Sequence, residues 1–135
     1  MNQPNTPTPD VDPFGSLYTR IGENGFARLV AGFYERVKTD DILGPMYPKN
    51  DWEGAEQRLR DFLVQRFGGP TRYSKQRGHP RLRMRHMPFA IDQAARDRWT
   101  ELMGQSLAEA DLPQDTHAPL TQFFDQVATF MMNRG

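Results

Sequence analysis

The chain has 135 residues and a mass of 15.6 kDa, enough for one domain around a single core. Its 17 acidic and 17 basic side chains cancel, so no bulk charge draws it to nucleic acid or to a membrane surface. It has no cysteine, no apolar run near about 18 residues and no basic-then-apolar start. These absences exclude disulfides, thiolate zinc sites, iron–sulfur clusters, a thiol nucleophile, thioether-linked cofactors and a membrane span, and they show no secretory leader.

Residues 1–12 read as a disordered N-terminal tail. Pro4, Pro7 and Pro9 are mixed there with Asn, Thr and Gln, a composition that buries too little apolar surface to offset its ordering entropy. Asp12-Pro13 supplies an N-cap and a first-turn proline for a short helix carrying Phe14, Leu17, Tyr18 and Ile21, which Gly22 and Gly25 break. A clearer helix follows, with Phe26, Leu29, Val30, Phe33, Tyr34 and Val37 at 3–4 spacing, ended by Thr39-Asp40-Asp41. Pro45 and Pro48 make the stretch from Leu43 to Asn50 a loop or short turn. The third helix is predicted from Asp51 to Phe67, with Ala55, Leu59, Phe62, Leu63 and Phe67 apolar and Gly68-Gly69-Pro70 as a stop. Residues 68–80 read as irregular, and a short helix covers Leu82 to His86 before Pro88. Two long helices close the chain. One presents Ala95, Trp99, Leu102, Met103, Ser106 and Ala110 on a face. The other presents Leu120, Phe123, Phe124, Val127, Ala128, Met131 and Met132, with Pro113 and Pro119 separating the two. No segment alternates with period two, so the fold class is all-α. The unequal lengths speak against a symmetric four-helix bundle.

The chemistry-bearing residues are few. No Gly-x-Ser-x-Gly elbow, dinucleotide fingerprint or phosphate-cradling loop is present. Glu53 and Glu56 read as a solvated helix face, because a carboxylate bundle would need Glu-x-x-His partners. Between Arg66 and Arg85 lie seven basic residues and no acidic one: Arg66, Arg72, Lys75, Arg77, Arg81, Arg83 and Arg85. That run is either a solvated loop or an anion site, the anion belonging to a cofactor, a nucleic acid or a partner. Of three histidines, His117 sits in a polar linker and His79 precedes a proline in a loop. His86 shares a face with Leu82 and Phe89; on spacing it reads first as a satisfied core histidine and second as a metal ligand. One imidazole cannot hold a bare metal, but it can hold haem iron, since a porphyrin brings four nitrogens. Tyr34 and Trp99 place donors on apolar faces and read first as core residues bonded to backbone.

Taken together, the motifs go further than spacing. They are Phe33-Tyr34-x-Arg36-Val37, Met46-Tyr47-Pro48, Gly54-Ala55-Glu56-x-Arg58-Leu59-Arg60-x-Phe62-Leu63, Gly68-Gly69-Pro70-x-x-Tyr73-Ser74, Arg77-Gly78-His79-Pro80-Arg81-Leu82-Arg83-Met84-Arg85-His86-x-Pro88-Phe89, and Trp99. Over roughly residues 14–133 they resemble the group II truncated haemoglobins. The resemblance implies a truncated two-over-two globin-like helical sandwich, a haem-binding domain over residues 13–135, around one haem b (iron protoporphyrin IX). It matches His86 to the iron ligand and Tyr34, Tyr47 and Trp99 to distal donors. Ala55 stands where many globins place a distal histidine. Leu59, Phe62, Leu63, Met84 and Phe89 are expected against the ring, with Arg58, Tyr73 and Arg85 at the propionates. Two departures stand out. Gly22 is followed by Glu23 rather than by a second glycine, which leaves Asn24-Gly25 to supply positive φ. Phe67 replaces a tryptophan expected near the haem edge.

The implied function is reversible binding of O2, and of NO or CO. Donors around the ligand slow its release, so the resemblance points to oxygen binding or scavenging rather than bulk transport. The alternative is a haem-dependent redox enzyme, a peroxidase or an NO dioxygenase served by a separate reductase. A third reading ignores the resemblance and takes the chain as a helical module that binds phosphates through residues 66–85. A cytoplasmic location, a homodimer, and neither nucleic-acid nor membrane partners complete the expectations.

Overall fold

A computed structural model describes residues 17–47, 49–79, 81, 85, 86 and 89–134. The tail at 1–12, the Asp12-Pro13 cap, most of the Leu82–His86 helix, and Met84 lie outside the described residues. The first two predicted helices form one element, α1 (Leu17–Val37), kinked at Gly22 where φ is 79° and ψ 166°. The positive φ falls on Gly22 itself and not on Asn24-Gly25 as expected, and Gly25 continues the helix. The absence of a Cβ lets Gly22 adopt this conformation cheaply, so a second glycine is not needed at the corner. The leading turn is pinned by Tyr18 N–H to the Phe67 carbonyl at 2.8 Å.

A 3-10 turn at Gly44–Met46 leads to α2 (Trp52–Arg66), close to the predicted helix. It stops as its sequence dictates: Gly68 takes φ 101°, and Gly69 N–H returns to the Val64 carbonyl at 2.8 Å. The stretch read as irregular contains a helix, α3 (Arg72–Arg77). So short a helix is marginal alone; here tertiary bonds hold it. Gln65 accepts Ser74 N–H at 2.9 Å and donates to Ser74 Oγ at 2.6 Å. Arg72 meets Glu23 of α1 at 2.7 Å and the buried Asp61 of α2 at 3.2 Å.

The last two helices are α4 (Gln93–Glu109), capped by Asp92 Oδ1 accepting from Ala95 N–H at 2.9 Å, and α5 (His117–Met131). Pro119 does not separate them. It lies in the first turn of α5, where a missing N–H costs nothing. His117 likewise begins α5 rather than sitting in a linker.

Helix α1 packs on both α2 and α4, and α4 packs on α5, so the pairs α1–α2 and α4–α5 stack two over two. The described residues contain helices and turns and no strand. Phe26, Leu29, Val30, Phe33 and Val37 are fully buried along α1. Phe67 stacks on Phe26 at 5.6 Å and meets Phe123 edge-on at 4.9 Å. The ring that replaces the expected tryptophan therefore fills the core and does not line the cavity described next.

Candidate cofactor site

Apolar stripes longer than the core needs leave an opening. On α2, Ala55, Leu59, Phe62 and Leu63 recur at helical spacing and face a cavity of about 320 Å³. On α5, Phe123, Phe124, Val127, Ala128 and Met131 face it from the other helix pair. Helix α4 contributes Ala95, Arg96 and Trp99, and α1 contributes Tyr34. Leu43, Met46 and Tyr47 come from the turn before α2, and His86, Phe89 and Ile91 from the segment before α4.

The turn that carries Tyr47 is held by one carboxylate. Asp40 Oδ2 accepts from Ile42 N–H at 3.1 Å and Leu43 N–H at 2.8 Å, while its Oδ1 meets Arg98 at 2.6 Å. Arg98 is the neighbour of Trp99, so this contact sets the turn against α4 beside the indole. Tyr34 and Tyr47 meet edge-on at 5.5 Å, and Phe33 bridges Tyr34 at 5.3 Å and Trp99 at 5.4 Å. Burial pushes the Tyr34 hydroxyl well above the ordinary phenol range, and the neighbouring Tyr47 raises it further. Burial pushes Tyr47 up to about 12, while hydrogen bonding from Trp99 and from Tyr34 acts in the opposite sense. Both phenols are therefore neutral donors at ordinary pH.

The predicted site residues converge. His86, Tyr34, Tyr47, Ala55, Trp99, Arg58, Leu59, Phe62, Leu63, Tyr73, Arg85 and Phe89 all line this one cavity. The basic run does not act as one patch. Arg72 is taken up by Glu23 and Asp61, and Arg66 lies over the Phe67 and Phe123 rings. Arg77 and Arg85 reach the cavity, with Arg58 from α2. Arg85 also donates to the Arg77 carbonyl at 2.9 Å, and Arg58 pairs with Asp51 at 3.1 Å. These guanidinium groups are half-buried or exposed, so they share the rim with solvent.

Some participants escaped the sequence reading. Trp52 stacks on Tyr47 at 5.7 Å and meets Tyr34 at 6.2 Å. It continues the α2 stripe one turn before Ala55, and that spacing was the available signal. The α5 face reads from sequence as core, because a cavity wall and a core face share one periodicity.

The donor set excludes most chemistries and suits one. Among the described residues no three His, Asp or Glu side chains come together to hold a metal. One imidazole, an apolar cavity, neutral donors and rim cations suit an apolar macrocycle that brings its own metal and carries carboxylates. Among the described residues, no helix is long and apolar enough to cross a membrane.

Comparison with known proteins agrees with this fold. A family model for bacterial-like globins matches residues 16–133. A group 2 truncated hemoglobin of Bacillus subtilis is 35% identical over 121 residues, covering 90% of this chain and 91% of the relative. Among solved structures, a hemoglobin from Chloroflexus aurantiacus superposes with a TM-score of 0.85 at 45% identity, covering 88% of this chain and 98% of that one. A truncated oxygen-avid haemoglobin from Bacillus subtilis does so with 0.83 at 34% identity, covering 87% and 99%.

Proposed function

The chain belongs to the bacterial-like globins, as a group II truncated haemoglobin, and from that membership we propose that it holds one haem b through His86 and binds O2 reversibly beside Tyr34, Tyr47 and Trp99. The observation that carries this reading is the convergence of a single imidazole, two phenols and an indole on one otherwise apolar cavity. When bound, the haem supplies an iron with four ring nitrogens and a position open to a diatomic gas.

The chain's own side chains do the rest. His86 would supply the imidazole that holds the iron. Leu59, Phe62, Leu63 and Phe89 would exclude water from the ring. Arg58, Arg85 and Tyr73, with Arg77 added, hold the carboxylates by charge-assisted and neutral hydrogen bonds. Ala55 brings no imidazole from α2, so the donors to a gas ligand are the Tyr34 and Tyr47 hydroxyls and the Trp99 N–H. A ligand with partial negative charge on its outer atom is held by such donors and leaves slowly, which suits oxygen retention or scavenging better than bulk transport. The Bacillus subtilis neighbour described as oxygen-avid is in keeping with that behaviour.

Haem titration tests the reading. The purified chain is expected to take up haem and show its Soret band, and His86→Ala to lose stable retention. A chain that stays colourless overturns the reading. Unchanged spectra and retention in His86→Ala overturn the ligand assignment alone.

A further inference from the structure

The backbone that carries His86 has little rigidity of its own. Arg85 and His86 sit in a short helical turn, closed by Arg85 N–H to the Arg81 carbonyl at 3.0 Å and Phe89 N–H to the His86 carbonyl at 3.0 Å. A turn of this length is not stable alone. Its support comes from the far end of the chain, through Asn133 just beyond α5. Asn133 Oδ1 accepts from Ile91 N–H at 2.9 Å. Its Nδ2 donates to the Phe89 carbonyl at 2.9 Å and to the His86 carbonyl at 3.3 Å. Its backbone N–H donates to the Ile91 carbonyl at 3.0 Å.

We propose that Asn133 is the positioning residue for His86, clamping the imidazole-bearing segment to the C-terminal end of α5. The assignment of the amide is fixed by its partners: the Ile91 N–H needs an acceptor and the Phe89 carbonyl a donor, the His86 carbonyl taking a second donor beside Phe89 N–H. The flipped amide would turn an oxygen on both carbonyls and an N–H on an N–H. Asparagine is the side chain that meets both needs at this reach. Aspartate has the same size but turns an oxygen toward two carbonyls. The clamp also sets His86 in register with the cavity wall, because Met131 lines the cavity only two residues before Asn133. The inference rests on the haem reading in so far as His86 is the axial base; the clamp itself rests on the four hydrogen bonds.

The test uses the full chain as purified and loaded with haem, and compares Asn133→Ala and Asn133→Asp with the parent. In both variants the iron–histidine stretching band should shift or broaden and haem should dissociate about tenfold faster. Hydrogen exchange at the Ile91 amide should quicken about tenfold in Asn133→Ala, which loses the acceptor, and stay parental in Asn133→Asp, whose carboxylate still offers one. Ser106→Ala, which removes a buried hydrogen bond between α4 and α1, serves as the control and should leave the band in place. Should Asn133→Ala fail to fold, Asn133→Asp, with its near-identical volume, carries the comparison. A parental band in both variants, or parental Ile91 exchange in Asn133→Ala, overturns the proposal while leaving the haem reading intact. A parent chain that takes up no haem overturns the haem reading instead, and Ile91 exchange alone then decides whether Asn133 clamps the segment.

Discussion

A phenol buried among rings is cut off from the water that would stabilise its ionised form, and at Tyr47 the hydrogen bonds from Trp99 and Tyr34 offset only part of that loss, which is why both cavity tyrosines stay protonated above their ordinary range. The consequence for stability has a definite sign. Tyr47 has an ordinary value of 10.0 and is pushed up to about 12 in the fold. Between those values the unfolded chain releases its proton while the folded chain keeps it, so this contribution is complete below pH 10 and is lost as pH rises toward 12. Urea unfolding as a function of pH should show stability falling across that window, with a shallower fall in Tyr47→Phe. An equal slope in both proteins would show that the phenol is not shielded. Kinetics address the donors. Tyr34→Phe and Trp99→Phe should each speed O2 release by roughly 5–12-fold, the equivalent of one net hydrogen bond of about 1–1.5 kcal/mol. Stopped-flow ligand replacement reads this, and unchanged rates in both variants would remove these two donors from the site. Tyr34 and Trp99 were legible through the motifs around them. Spacing could not have told a cavity donor from a core tyrosine, because both sit on the apolar face.

Two helices cross closely enough that one atom decides the contact. At the α1–α4 crossing, Ser106 Oγ donates to the Leu29 carbonyl at 2.6 Å, and a Cβ on Gly32 would stand 2.6 Å from that same oxygen. Gly32→Ala should therefore destabilise the protein by about 1–3 kcal/mol, despite alanine's better helix propensity. In a Ser106→Ala background the obstruction is gone. The same Gly32→Ala change should then turn mildly stabilising, by up to about 1 kcal/mol. A double-mutant cycle by chemical denaturation measures the reversal; additive effects would place the strain elsewhere. The helix boundaries were mostly legible, since 3.6-residue periodicity and Gly68-Gly69-Pro70 mark α2 without help from the rest of the chain. Helix α3 was not, because its order comes from Gln65 and Asp61 on α2 and Glu23 on α1, contacts that exist only once those helices are packed beside it.

Stacking α1–α2 on α4–α5 leaves a cavity that no single helix contains, and an occupant that binds only the folded chain must stabilise the whole molecule. Free haem at about one hundred times its dissociation constant should add about 2.7 kcal/mol to the stability of the fold. For a chain of this size that is about 10 °C in the melting midpoint. Differential scanning with and without haem measures it. His86→Ala should lose most of the gain, and a haem-independent midpoint for the parent protein would contradict occupancy of the cavity.

At that same scale the division between sequence and structure is sharp. The candidacy of His86, Tyr34 and Trp99 comes from the motifs around them and the family these resemble, while the all-α class, the stop after α2 and the apolar faces of α4 and α5 follow from residue order, because periodicity and turn chemistry are local. The meeting of His86 with Tyr34, Tyr47 and Trp99 around one space, the diversion of Arg72 to Glu23 and Asp61, and the reach of Asn133 back to Phe89 and Ile91 do not. An apolar stripe records that a face is hidden from water but not what hides it. Whether Phe124 or Met131 meets another side chain or an open cavity is set by helix crossings, which only the folded chain fixes.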